Sequence, residues 1–152
     1  MSWIAALAIV IGLVAAATVL GLIWRSNTGR VRAVHATDDH RAVIAPEDVG
    51  TSGEFGSGAT LLQFSTEFCA PCRSTAVVLS ELADQLPRVR HIDIDLTNQP
   101  ELAGRFNILQ TPTTFILDGS GTVQARIGGA PRREELRNRL DEILGSTNVR
   151  LS

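Results

Sequence analysis

Two side chains in this 152-residue chain carry obvious chemistry: Cys69 and Cys72, its only cysteines, separated by Ala70 and Pro71. Two cysteines are too few for the framework of bridges that staples a small secreted domain. A bridge between them closes so short a loop that it constrains the unfolded chain only weakly, so chemistry explains the pair better than stability does. A CxxC pair can also be half of a zinc site, but no second pair follows and His35, His40 and His91 lack the paired spacing of zinc ligands, so no metal is expected. At a helix start, Cys69 would lie at or near the N-cap and Cys72 within the first turn, where backbone N–H groups and the helix dipole favour a thiolate. Lowering a thiol pKa from about 8.5 to about 7 raises the ionised share at pH 7 from about 3% to half, at roughly 2 kcal/mol. Cys69 is therefore the expected nucleophile. It would attack a disulfide to form a mixed disulfide, and Cys72 would resolve it; the reverse direction is equally available.

Composition removes several other classes. The formal charge is -2, which offers no whole-chain attraction to nucleic acid. All 14 basic residues are arginine, so Schiff-base chemistry and a P-loop lysine are excluded. No flavin, nucleotide or metal site is visible and no cofactor is expected, so electrons must come from, or go to, another protein or a small thiol.

The elements that must position the pair are readable after Gly58. Thr60–Ser65 is a short apolar run ending in a polar turn, as a buried strand would be, and Pro71 suits the first turn of a helix. That helix should continue to about Leu86, since Ala76, Leu79, Leu82, Ala83 and Leu86 recur at helical spacing. Val89–Leu96 reads as a strand with His91 on the same side as Val89, Asp93 and Asp95. Asn98–Phe106 is a candidate short helix. Thr113–Leu117 and Thr122–Ile127 read as a hairpin about Asp118–Gly121. A last helix should open near Pro131, carry Leu136, Leu140, Ile143 and Leu144 on one face, and stop at Gly145. The order β-α-β-α-β-β-α predicts an α/β sandwich around one central sheet.

Ahead of this domain, Trp3–Trp24 carries no charge. About 22 residues at about 1.5 Å each span roughly 33 Å, enough for a hydrocarbon core of about 30 Å. Tryptophans at both ends and Arg25 just beyond suit a membrane span, and without a basic segment before it a retained anchor fits better than a cleaved signal peptide. The expected organisation is an anchor over 1–25, a tether with a possible first strand or helix over 26–58, the α/β domain over 59–146 and a tail over 147–152. Val31–Val34 and Val43–Ile44 are candidate short strands. Arg25, Arg30 and Arg32 beyond the span favour a cytoplasmic domain by the positive-inside rule.

The run Leu61–Cys72, LLQFSTEFCAPC, resembles the strand-to-active-site segment of the thioredoxin family, where an aromatic residue precedes Cys-Gly-Pro-Cys. Independently, Thr111-Pro112-Thr113 is similar to the loop in which that family carries a cis proline facing the two sulfurs. The resemblance spans roughly Thr60 to Leu144 and implies a thioredoxin-like fold, a three-layer α/β/α sandwich with a mixed sheet. It implies that Cys69 attacks and Cys72 resolves, with Phe68, Ala70 and Pro71 around them, and that Thr111, Pro112 and Gly128 line a groove for an extended substrate segment. Residue statistics alone favour a trans Thr111–Pro112 bond, since only about 5–6% of X–Pro bonds are cis. Phe68 replaces the family's usual tryptophan, Ala70 its glycine, and Val77 a helix-kinking proline. Gln63 stands where the family resembles itself in a buried acid that moves protons to the resolving thiol, and His91 matches a nearby lysine. With a pKa near 6.5, His91 is a candidate replacement base.

The expected function is a membrane-tethered thiol–disulfide oxidoreductase acting on protein or small-thiol partners, recycled by an upstream electron donor or acceptor protein. The alternatives are a docking module that uses the groove without turnover, and an electron carrier dedicated to one membrane partner. Membrane-anchored relatives mostly face outward, which pulls against the charge argument for the cytoplasm.

Overall fold

The computed structural model describes residues 3–27, 29–33 and 43–150. Helix α1 (Trp3–Asn27) is followed by strand β1 (Val31–Ala33) and a short 3-10 turn at Pro46–Val49. Then come β2 (Ala59–Ser65), α2 (Ala70–Gln85), β3 (Val89–Asp95), α3 (Pro100–Arg105), β4 (Thr113–Asp118), β5 (Val123–Gly128) and α4 (Arg133–Arg150). From β2 onward this is the β-α-β-α-β-β-α order expected from the sequence. His35, His40 and Val34 lie outside the described residues.

The five strands form one sheet in the order β1-β5-β4-β2-β3. Strand β2 pairs parallel with β3 and antiparallel with β4, and all seven of its residues are buried. An uninterrupted run of buried residues is what a strand covered on both faces requires. Its alternate side chains serve two cores. Ala59 and Leu61 pack with Leu79 and Leu82 of α2 and with Leu136, Leu140 and Ile143 of α4. Leu62 and Phe64 pack with Ile44, Val49, Ile94, Phe115 and Val123, with Leu102 and Phe106 closing the cluster from α3. Two helices thus cover one face, while α3 and the 44–55 segment cover the other.

The first strand was ambiguous in the sequence. Val31–Ala33 runs antiparallel along the outer edge of β5, with Val31 opposite Ile127 and Ala33 opposite Ala125. Val43 makes one isolated bridge to Thr122, and Ile44 donates to the Gly121 carbonyl at 2.9 Å.

The last helix opens close to the expected start near Pro131 but departs from expectation at its C-terminal end. It opens at Arg133, with the Arg132 carbonyl accepting from Leu136 N–H at 3.0 Å. Gly145 does not stop it. A glycine ends a helix by turning left-handed, and Gly29, Gly50, Gly121 and Gly129 take positive φ here while Gly145 stays within the helix.

Helix α1 is one N-terminal helix long and apolar enough to cross a membrane, over Trp3–Ile23, and none of that span is buried against the domain. Its large side chains, among them Ile4, Leu7, Ile11, Leu13 and Leu20, are exposed. A helix apolar all round suits a protein core or a bilayer, and among the described residues none packs over this one, so it is a candidate membrane span. Its one described hydroxyl bond is internal, Thr18 Oγ1 to the Val14 carbonyl at 2.8 Å, so that group needs no water.

Candidate active site

The two cysteines are joined as Cys69–Cys72, with Cα atoms 5.2 Å apart. They sit where the fully buried β2 hands over to α2. Cys69 is the N-cap residue, in extended conformation, and Cys72 lies in the first turn behind Pro71. Proline costs a helix nothing there, because its missing N–H would have no intrahelical partner. One donor of the first turn, the Cys72 N–H, points toward Cys69. Cys72 N–H reaches Cys69 Sγ at 3.2 Å as well as the Cys69 carbonyl at 3.1 Å. A backbone donor already aimed at that sulfur stabilises negative charge on it. Cys69 keeps 9% of its surface and Cys72 3%, so Cys69 is the sulfur a partner meets first.

The approach loop is tied down on both sides. Cys69 N–H donates to the Thr66 carbonyl at 3.2 Å, and Glu67 N–H donates to Thr97 Oγ1 at 2.8 Å at the end of β3. Phe68 does not pack inward: it is 90% exposed, and with exposed Ala70 and Pro71 it forms a rim beside the disulfide.

The second half of the site comes from the loop before β4. The Thr111–Pro112 bond is cis, as the family resemblance implied and against the residue statistics. Thr111 Oγ1 stands 3.4 Å from Thr66 Oγ1, which brings this loop against the one carrying Cys69. Pro112 is buried, and its carbonyl accepts from Gly129 N–H at 2.7 Å. Gly128 lies directly opposite Thr113. A side chain on Gly128 would strike the Gln110 amide, so glycine is what lets Gln110 lie over the strand end. All the residues expected at the groove therefore meet at one end of the sheet.

Three further residues belong here that sequence reasoning did not find. Thr66 gives no signal in a polar turn. Leu109, 84% exposed two residues before Thr111, is an apolar side chain on the loop's outer surface. Arg126 lies over the Phe115 ring at 5.2 Å and donates to the carbonyls of Phe106 and Asn107, clamping the start of the loop that leads to Thr111. Asn107 takes a positive φ of 50° there. Pairing of Arg126 opposite Phe115 decides this, and register is not written in either residue.

Beneath Cys72 lies Gln63, fully buried. Its Nε2 donates to the Cys72 carbonyl at 3.0 Å, and its Oε1 stands 3.2 Å from His91 Nε2. A carbonyl can only accept, so the amide orientation is forced, and Oε1 must accept from a protonated His91 Nε2. Register explains the meeting: His91 is opposite Leu61 and thus a diagonal neighbour of Gln63 on the same face. Burial lowers the His91 pKa below 6.5, with Asp93 opposing. Burial thus disfavours the charged ring, and its Nε2 is already a donor to Gln63. His91 Nε2 thus faces Gln63 as a donor, whereas the sequence names His91 as a candidate base for the Cys72 proton. Thr75 Oγ1 and Thr114 Oγ1 are also buried, without hydrogen-bond partners among the described residues, on the helix α2 side of the sheet.

Comparison with known proteins agrees with this geometry. The thioredoxin family model matches residues 54–142. Thioredoxin from Bacillus subtilis is 29% identical over 101 residues, covering 64% of this chain and 97% of that protein. Thioredoxin H5 from Oryza sativa subsp. japonica is 26% identical over 97 residues, 64% of this chain and 67% of that one. Among solved structures, thioredoxin NaTrxh from Nicotiana alata superposes with a TM-score of 0.50 at 22% identity, over 57% of this chain and 73% of that one, which speaks to the fold. A family match over more than half the chain, together with a cysteine pair at the start of α2, leads to one conclusion: the chain belongs to the thioredoxin family and is a thiol–disulfide oxidoreductase.

Proposed function

We propose that Cys69 is the attacking thiol and Cys72 the resolving one, in a domain over 59–146 held to a membrane by residues 1–25. The observation that carries the assignment is the Cys72 N–H aimed at Cys69 Sγ, at the more exposed of the two sulfurs. Thr111, Pro112 and Gly128 hold an extended substrate segment, and Phe68, Ala70 and Pro71 form its other border. His91 acts through Gln63 as a positioning residue, fixing the amide that holds the Cys72 carbonyl. The reaction is exchange with protein disulfides or thiols, and an upstream protein or small thiol resets the pair.

Trapping separates the two sulfur roles. Cys72→Ser should accumulate a mixed disulfide through Cys69, whereas Cys69→Ser should trap none; the opposite pattern overturns the assignment. Equilibration in glutathione buffers then gives direction. A potential near about -270 mV marks a reductant, and one near about -120 mV an oxidant. Resistance to alkaline extraction from membranes tests the anchor.

A further inference from the structure

The anchor joins the domain at the groove and not at the far pole. Helix α1 ends at Asn27, and two residues later Gly29 donates its N–H to the Gly128 carbonyl at 2.9 Å. The fit is close: Gly29 has φ +79°, and a side chain on it would collide with the Ala130 carbonyl. Strand β1 continues along β5, and Val31 N–H also donates to Glu135 Oε2 at 3.3 Å, tying the junction to α4. Gly128 in turn lies opposite Thr113, and Gly129 donates to the Pro112 carbonyl. The membrane helix therefore enters the fold one strand away from a groove wall.

Lengths turn this into a constraint. Two residues extend at most about 7 Å, and two strand spacings add about 10 Å. Thr113, the residue after the Thr111–Pro112 bond, thus stays within about 17 Å of the end of α1. A helix of 25 residues is about 37 Å long, against a bilayer of about 40–45 Å with its headgroups, so α1 ends in the headgroup layer. Attachment at the Asp118–Gly121 turn would instead have added the length of β5, about 20 Å.

We propose that the groove serves cysteine pairs of integral membrane proteins held at the bilayer surface on the domain's side, in preference to freely diffusing protein disulfides. This rests on the reading of the chain as a membrane-anchored oxidoreductase. In the reducing direction, the Cys69 thiolate attacks one sulfur of the partner's disulfide. That S–S bond breaks, the mixed disulfide forms and one partner thiolate leaves. The Cys72 thiolate then attacks Cys69 Sγ, releasing the second partner thiolate and leaving the Cys69–Cys72 bond, so two electrons have passed to the partner. With a reduced partner the same steps run backwards.

The test uses the full chain, reduced, in lipid vesicles. The probes are two transmembrane peptides, one with an oxidised cysteine pair at the end of its span and one with the pair carried about 40 Å out on a helical spacer of about 27 residues. The near pair should react at least about tenfold faster, because only it shares the confined layer that the groove occupies. Inserting 20 Gly/Ser residues between Thr28 and Gly29 adds a mean reach of about 25 Å and should erase the preference, while leaving the rate with a small soluble disulfide unchanged. Equal rates for the two peptides, or a preference that survives the insertion, overturns the proposal. Failure of the chain to float with vesicles overturns the anchor reading and this inference with it. Flotation without reaction on either peptide or on the small disulfide overturns the oxidoreductase reading instead.

Discussion

Gln63 and Phe64 are neighbours on the same fully buried strand, yet they enter two different kinds of interior. Phe64 turns into a ring cluster, 5.2 Å from the Phe115 centroid and 5.5 Å from that of Phe106. Gln63 turns under Cys72 into a polar patch with His91, beside buried Thr75 and Thr114 hydroxyls that have no partners. Apolar packing stabilises in proportion to the area buried, whereas a buried polar group costs free energy unless every partner is in place. Phe64 therefore supports the fold, whereas Gln63, on the same face as the core residue Leu61, gives up stability to hold the backbone of the redox turn.

Four substitutions probe that contrast. The largest effect should come from Phe64→Ala, which opens a cavity among three rings and should cost about 3–5 kcal/mol in chemical unfolding followed by circular dichroism. Gln63→Leu should cost less, about 1–3 kcal/mol, by removing the amide that bonds the Cys72 carbonyl and by leaving His91 Nε2 without its acceptor. Unlike the first, it should also shift the potential of the cysteine pair, and an unchanged potential would mean that the amide only fills space. Thr114→Val should run the other way, stabilising by about 1 kcal/mol, because it removes a buried hydroxyl that has no partner. A loss of stability there would show that the hydroxyl is satisfied in solution.

The smallest effect is one of pH. Because burial depresses the His91 pKa below 6.5, the unfolded chain binds the proton more readily than the folded one. Stability should thus be fully present above about pH 6.5 and fall as the pH drops toward the folded value. His91→Gln should flatten this slope, read from unfolding at pH 7.5 and pH 5.5. If His91 also served as the base for Cys72, the pH profile of thiol exchange would change in that variant as well, and an unchanged profile would leave it a positioning residue.

The sequence made most of the fold and half of the site legible. Strand β2, helix α2 and the β4–β5 hairpin each carry a strong local pattern, and Cys69, Cys72 and Thr111-Pro112 are recognisable as short motifs. What stayed hidden depends on pairing between distant segments. Nothing local in Gln63 or His91 says that a parallel register makes them diagonal neighbours, and only the family resemblance pointed to them together; nothing in Arg126 says that it will cap two loop carbonyls beside a ring. Val31–Ala33 is too short to declare itself without the edge of β5. Gly145 misled for the opposite reason, since a local stop signal was overridden in a helix whose buried residues, Leu136, Leu140 and Ile143, are anchored in the core upstream.

The bond from Gly29 to Gly128 also has a mechanical meaning. A target gripped beside Thr111 and a bilayer gripping α1 would pull on each other sideways across β1, β5 and β4. The load would run through backbone ladders at one end of the sheet and bypass both cores, so the domain can be tugged by its substrate without its interior bearing the strain.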